Sequence, residues 1–232
     1  MSDTKYAYAV ARIRALENGL FSSAQIEQLL SVKSYEGALR FLTEHGWGDA
    51  DTPLSAEAIL TREKAKSWET VRDLLKGDDA ILAVLSYGDL YHNLKAAIKD
   101  AAAPGSHGNV YFDDCEVDGA RMSKIVAEKD WQALPAHMRE AAKEASETFL
   151  HTGDGQLCDI IVDRSALAAI YECGKNASDA IIRDYAETTV AVADIKIAVR
   201  SQKTGKHLDF MRRAMAPCDS LNIERLSQAA LG

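Results

Sequence analysis

Asp79-Ala80-Ile81-Leu82, followed by Asn93-Leu94-Lys95-Ala96-Ala97-Ile98-Lys99, returns later in the chain as Asp179-Ala180-Ile181-Ile182, followed by Asp194-Ile195-Lys196-Ile197-Ala198-Val199-Arg200. The first parts match at an offset of 100 residues and the second parts at 101. Each copy places a small amide or acid, an aliphatic residue and a lysine ahead of a further aliphatic–cation pair. Self-similarity at a fixed offset is the mark of a fold built from duplicated units.

The surrounding composition favours helices. Ala, Leu, Ile, Glu, Lys and Arg dominate, and only 4 prolines and 14 glycines interrupt them. Straight-chain and small residues of this kind suit helix better than strand. The 232 residues are 47% hydrophobic, enough for a sizeable core in one large or two medium domains. The net charge of −8 is unevenly spread: residues 194–232 carry +3 and the rest −11. An acidic body argues against nucleic-acid or anionic-membrane binding, which need positive charge. The basic tail suits either an acidic partner or a solvated helical face. The chain opens on a polar stretch with no secretory pattern. The apolar run Ala80–Leu85 is far too short to cross a bilayer, so any membrane role is peripheral.

Helical periodicity and end signals give an element order. Tyr6 to Leu16 reads as a helix stopped near Gly19. Ser22-Ser23-Ala24-Gln25 is a capping box for a helix through Leu30, and Ser34 caps a third that ends at Gly46. Thr52-Pro53 fits the start of a longer helix running to Lys76 and closed by Gly77. The first echo lies on a helix ending before Pro104-Gly105. Prolines, glycines and acids then crowd together, and 106–120 is expected to be an acidic linker between a first helical unit, 1–105, and a second, 121–232. In the second unit, helices are expected at Met122–Val126, Leu134–Leu150 and Asp159–Cys173, with Ser178 capping the helix of the second echo. The Val- and Ile-rich span 190–199 is read as helix because its neighbours are helical.

Chemistry-bearing motifs are sparse. The six histidines form no metalloprotease or His-x-x-x-His pattern, and each is read as a surface or helix-end residue. Cys115, Cys158, Cys173 and Cys218 show no two-residue spacing, so reduced thiols are expected. Asp114–Gly119 mimics the start of a calcium loop, but Ile125 stands where the bidentate Glu belongs. Asp159 and Asp163, one helical turn apart, are read as an exposed face rather than a cation site. No phosphate loop, dinucleotide fingerprint or nucleophile elbow is present. The expectation is therefore a protein without catalytic, metal or cofactor residues.

Several segments together resemble a family. Tyr6-Ala7-Tyr8-Ala9-Val10-Ala11-Arg12-Ile13-Arg14-Ala15-Leu16-Glu17 resembles the opening of the C subunit of the A-type/V-type ATP synthases, a relative of the d subunit of the eukaryotic vacuolar ATPase. Leu29-Leu30 and Tyr35-Glu36 fit the helices that follow. Tyr87-Gly88-Asp89-Leu90-Tyr91-His92-Asn93-Leu94-Lys95 is similar to the family's Asn-Leu/Ile-Lys step. Gln156-Leu157-Cys158-Asp159-Ile160-Ile161-Val162-Asp163-Arg164 is similar to its spaced aspartates followed by Arg. Asp194-Ile195-Lys196 and Arg200 repeat the step, with Asp194 where Asn is usual. The acidic stretch 111–118 departs from the family pattern.

The resemblance implies an all-α protein of pseudo-repeated helical units forming a funnel or socket. It implies a third unit that these 232 residues lack, with 121–232 ending at the connection to it. It implies a non-catalytic central-stalk adaptor of a rotary ATPase, linking stalk subunits to the membrane rotor ring and transmitting torque for proton or sodium transport. Such a protein is cytoplasmic and peripheral to the membrane. Asn93, Lys95, Lys99, Asp194, Lys196 and Arg200 are its candidate partner-binding residues. The four cations either surround an axis where an acidic partner meets them or brace helices within each unit. The alternative is a generic helical protein–protein interaction scaffold.

Overall fold

The computed structural model describes residues 6–75, 79–102, 110–112 and 115–231, the side chains of Asp79 and Ala80 excepted. Among the described residues it is all-α, with no strand. The chain divides into two compact units, Met1–Gly77 and Asp78–Gly232. Residues 106–109 and 113–114 of the expected linker, and the helix end expected at Lys76-Gly77, lie outside the described residues. The compact division leaves the first echo helix with the residues that follow it.

The first unit contains α1 (Ala7–Glu17), α2 (Ser23–Ser31), α3 (Tyr35–Glu44) and α4 (Ala56–Leu74). The capping box forms as the sequence implies. Ser22 Oγ accepts from the Gln25 N–H at 3.3 Å, and Gln25 Oε1 accepts from the Ser22 N–H at 2.9 Å. Ser34 Oγ caps α3 through the Gly37 N–H. Phe21, Phe41, His45 and Trp47 cluster between helices, with the Phe41 and His45 rings stacked at 4.2 Å. Leu39 and Ile59 are buried, while α1 buries none of its residues and its Val10–Ile13–Leu16 side is open.

α4 starts three residues later than Thr52-Pro53 suggests. Ser55 is its N-cap, and Ser55 Oγ accepts from the Ala58 N–H. Thr52 is occupied elsewhere, donating to Asp49 Oδ1 and accepting from the Asp49 N–H. The turn before α4 is fixed by Gly48, at φ +77°. The Gly48 N–H donates to Glu63 of α4 at 2.8 Å, and Lys66 of α4 donates to the Gly48 carbonyl.

The second unit contains α5 (Asp79–Ala102), α6 (Gly119–Glu128), α7 (Arg139–Thr152), α8 (Gly155–Lys175), α9 (Ala180–Lys203), α10 (Leu208–Ala214) and α11 (Ile223–Leu231). α8 is the central helix, flanked by α5, α7 and α9. The main core joins Leu90, Leu94 and Ile98 of α5 to Met122 and Val126 of α6, Ala142 of α7 and Cys158 and Val162 of α8. A smaller cluster of Ala198, Met211 and Met215 ties α9 to the last two helices. The span 190–199 is helical, inside α9.

Element ends in the second unit also differ from the sequence reading. Residues 131–138 form two short 3-10 turns, so the helix expected from Leu134 begins at Arg139. α8 starts at Gly155, capped by Asp154 through the Gln156 and Leu157 N–H groups. The N-cap of α9 is Asp179 rather than Ser178. In the segment that mimics a calcium loop, Asp118 caps α6 by accepting from the Arg121 N–H at 2.8 Å.

α8 and α9 cross at Gly174, where a Cβ would lie 2.1 Å from Ala186 Cβ. An added methyl must push the helices apart, because Ala186 is wholly buried. Gly174→Ala is therefore expected to destabilise the second unit by about 1–3 kcal/mol. Gly88, within α5, has open space where its Cβ would be. Gly88→Ala is expected to stabilise by roughly 0.5–1 kcal/mol through helix propensity alone. Thermal unfolding of both variants beside the parent chain reads the opposite signs.

Candidate functional site

The six candidate residues fall on two helices of the same length. α5 and α9 each have 24 residues. Asn93 and Asp194 are each the fifteenth residue of their helix, followed two and six residues later by Lys95 and Lys99, or by Lys196 and Arg200. Both helices pack on α8.

Asn93 and Asp194 lie inside the fold at 0% exposure, so their side-chain atoms are used internally. Asn93 clasps the segment beyond its helix with two bonds. Its Oδ1 accepts from the Phe112 N–H and its Nδ2 donates to the Phe112 carbonyl, both at 2.8 Å. Asp194 Oδ1 likewise accepts from the backbone N–H of Ala216, at 3.1 Å. The second oxygen of Asp194, Oδ2, is buried with no hydrogen-bond partner among the described residues. A buried polar atom left without a partner is costly. Burial accordingly pushes the Asp194 carboxyl up to about 6, against the opposing pull of the Ala216 N–H.

Lys95 and Lys99 brace α5 on α8. Lys95 Nζ lies 2.6 Å from Asp163 Oδ1, and Lys99 Nζ lies 2.6 Å from Asp159 Oδ1. Each pair is partly exposed and so contributes less than about 1 kcal/mol, but two parallel pairs fix the register of one helix on the other. The acid pair one turn apart on α8 thus faces a lysine pair one turn apart on α5. That matched spacing was the signal available in the sequence for this contact.

Lys196 and Arg200 are exposed, and among the described residues neither side chain has a carboxylate within ion-pair distance. Arg200 lines a shallow groove with Gln156, Asp159, Asp163, Lys206 and Phe210. Two of the five other cations of the basic tail are engaged internally: Arg212 pairs with Glu224 and Asp209, and Lys206 bonds Gln156 and stacks on Phe210.

The four cysteines are thiols, not bridged to one another. Among the described residues no three His, Cys, Asp or Glu side chains gather as a metal-binding set. His137, read from sequence as a surface or helix-end residue, is exposed over much of its surface in the second 3-10 turn and lies against aromatic rings for the rest. The Tyr91 hydroxyl donates to its carbonyl at 3.0 Å and lies 3.0 Å from its Nδ1, while Tyr87 packs on its ring. Burial holds the His137 imidazole below its ordinary value. His92 bonds the Val110 carbonyl through Nε2. Both histidines brace structure, and long-range packing of this kind leaves no spacing pattern in sequence.

The model of one protein family, described as the ATP synthase (C/AC39) subunit, matches residues 9–231. No curated protein matches the chain.

Asp194 gives a prediction with a definite sign. Its folded carboxyl titrates near 6, above the ordinary 3.8. The folded chain therefore holds its proton longer than the unfolded chain. The associated stability is complete below about pH 4 and is lost as pH rises through about 6. Asp194→Asn removes the ionisable group and keeps an oxygen that can accept from the Ala216 N–H. It should stabilise the chain above pH 6 by about 1–3 kcal/mol and flatten stability between pH 4 and 6. Urea unfolding at a series of pH values checks it, and an unchanged pH slope in the variant contradicts it.

Proposed function

Because the chain belongs to the ATP synthase (C/AC39) subunit family, we propose that it is the non-catalytic central-stalk adaptor of a rotary A/V-type ATPase, linking stalk subunits to the membrane rotor ring and passing torque between them. The observation that carries the reading is the extent of the family match, which takes in nearly the whole chain, including both echo segments.

The physics of the second unit supports it. A torque-bearing adaptor must be stiff, and packed helices with dense cores deform little. The connections α7–α8 and α8–α9 are short, from Thr152 to Gly155 and from Lys175 to Ala180. Where α5 meets α8, the helices are keyed by apolar packing and by two ion pairs. Lys196 and Arg200, exposed on α9, are the cations of the set left to meet a partner. None of the described helices is long and apolar enough to cross a membrane, so attachment runs through the complex at the cytoplasmic face. Catalysis and ion passage belong to other subunits.

The test is affinity purification of the tagged chain from detergent-extracted membranes of cells that make it. Stalk and rotor-ring subunits are expected to co-purify. The paired substitution Lys196→Glu with Arg200→Glu is expected to reduce their recovery at least several-fold without unfolding the chain. Recovery of neither stalk nor ring subunits would refute the reading.

A further inference from the structure

α9 carries an apolar stripe that its counterpart α5 buries. Tyr185, Val192, Ile195 and Val199 are 41–48% exposed. At the 101-residue offset of the second echo they correspond to Val84, Tyr91, Leu94 and Ile98, which are 0–3% exposed. At 100° per residue the four α9 positions fall within one narrow face of the helix. Lys196 and Arg200 flank that face as Lys95 and Lys99 flank the face of α5.

α8 shows what such a face accepts. It lies on α5 with Ile170 against Val84 and Ser165 Oγ donating to the Tyr91 hydroxyl at 3.3 Å. Cys158 and Ile161 share the core with Leu94 and Ile98. Its Asp159 and Asp163, one turn apart, neutralise Lys99 and Lys95 at 2.6 Å each. The same apolar spacing and cation spacing recur on α9, where no described residue of the second unit covers them. A solvated surface helix has no need of large apolar residues in register along its outer face.

We infer that the outer face of α9 is a docking site for an amphipathic helix of a separate polypeptide, one carrying an apolar stripe and two carboxylates a single turn apart, seated as α8 is seated on α5. A second copy of this chain is a poor occupant. Two α9 faces would oppose their own cations, and the acid pair of α8 is already engaged with Lys95 and Lys99. α4, aligned with α8 by the same offset, has Ala58 and Arg62 where α8 has the two acids. Only the identity of the carrier polypeptide, as another member of the same complex, rests on the adaptor reading.

Photo-crosslinking within the assembled complex tests it. A photoreactive residue is placed at Val192 and at Val199 in the full-length chain, with exposed Lys143 of α7 as the control position. The complex is then isolated, irradiated and the products mapped by mass spectrometry. Val192 and Val199 are expected to join one helical segment of another polypeptide, with acids at i and i+4. Lys143 is expected not to join that segment. Lys196→Glu with Arg200→Glu should lower the yield about tenfold. No cross-link, a cross-link to this chain or a second copy, a mapped segment lacking the acid pair, or a yield indifferent to charge reversal would each overturn the inference. The composition of the complex is read in the same sample. Co-purified rotary subunits without the cross-link sink the docking site and leave the adaptor reading. The cross-link to a protein of an unrelated complex does the reverse.

Discussion

The seating of α5 on α8 is the contact on which the second unit depends. It buries the apolar face of a 24-residue helix, and burial of large aliphatic side chains contributes about 1.5–3 kcal/mol each. That term far exceeds the two ion pairs beside it, which are partly exposed and individually weak. The pairs have a different role. An apolar interface alone tolerates sliding, whereas Lys95–Asp163 and Lys99–Asp159 form together at one register only, and a shift of one turn leaves a single pair. Apolar burial holds the helices together, and the charges say where.

Asn93 and Asp194 place the same constraint at the centre of each echo. A short polar side chain in the middle of a buried helix is tolerable only with partners. Asn93 finds two on Phe112, so the segment after α5 is tied back to it. Asp194 finds one on Ala216, and its second oxygen has none among the described residues. The acid does with a raised carboxyl what the amide does with a donor, at a cost in stability above pH 6. Asp194 is thus a pH-sensitive counterpart of Asn93.

Much of the helix content could be read from the sequence, because its signals are local. The Ser22–Gln25 capping box, the Ser34 cap and the 24-residue α9 across a Val- and Ile-rich span needed only near neighbours in the chain. Ambiguity arose where two local signals competed. Thr52-Pro53 and Ser55 both look like helix starts, and the difference is that Asp49 holds the Thr52 hydroxyl. Pro135 resembles a first-turn proline, yet the chain winds through 3-10 turns until Arg139. The candidate site was legible as a list and not as an arrangement. Which residues turn inward depends on packing across long sequence separations, such as the 68 residues between Lys95 and Asp163. The basic tail was legible as charge, and its pairing of Arg212 with Glu224 was not.

α5 and α9 are two versions of one helix, one covered and one open. Amine labelling of the isolated, folded chain with a small acylating reagent, followed residue by residue by mass spectrometry, separates them directly. Lys196 should react at the rate of a free surface lysine. Lys95 and Lys99, held by Asp163 and Asp159, should react several-fold more slowly, and Asp159→Asn with Asp163→Asn should bring them up to the rate of Lys196. Equal rates for all three lysines in the unaltered chain would contradict the distinction between a covered and an open helix.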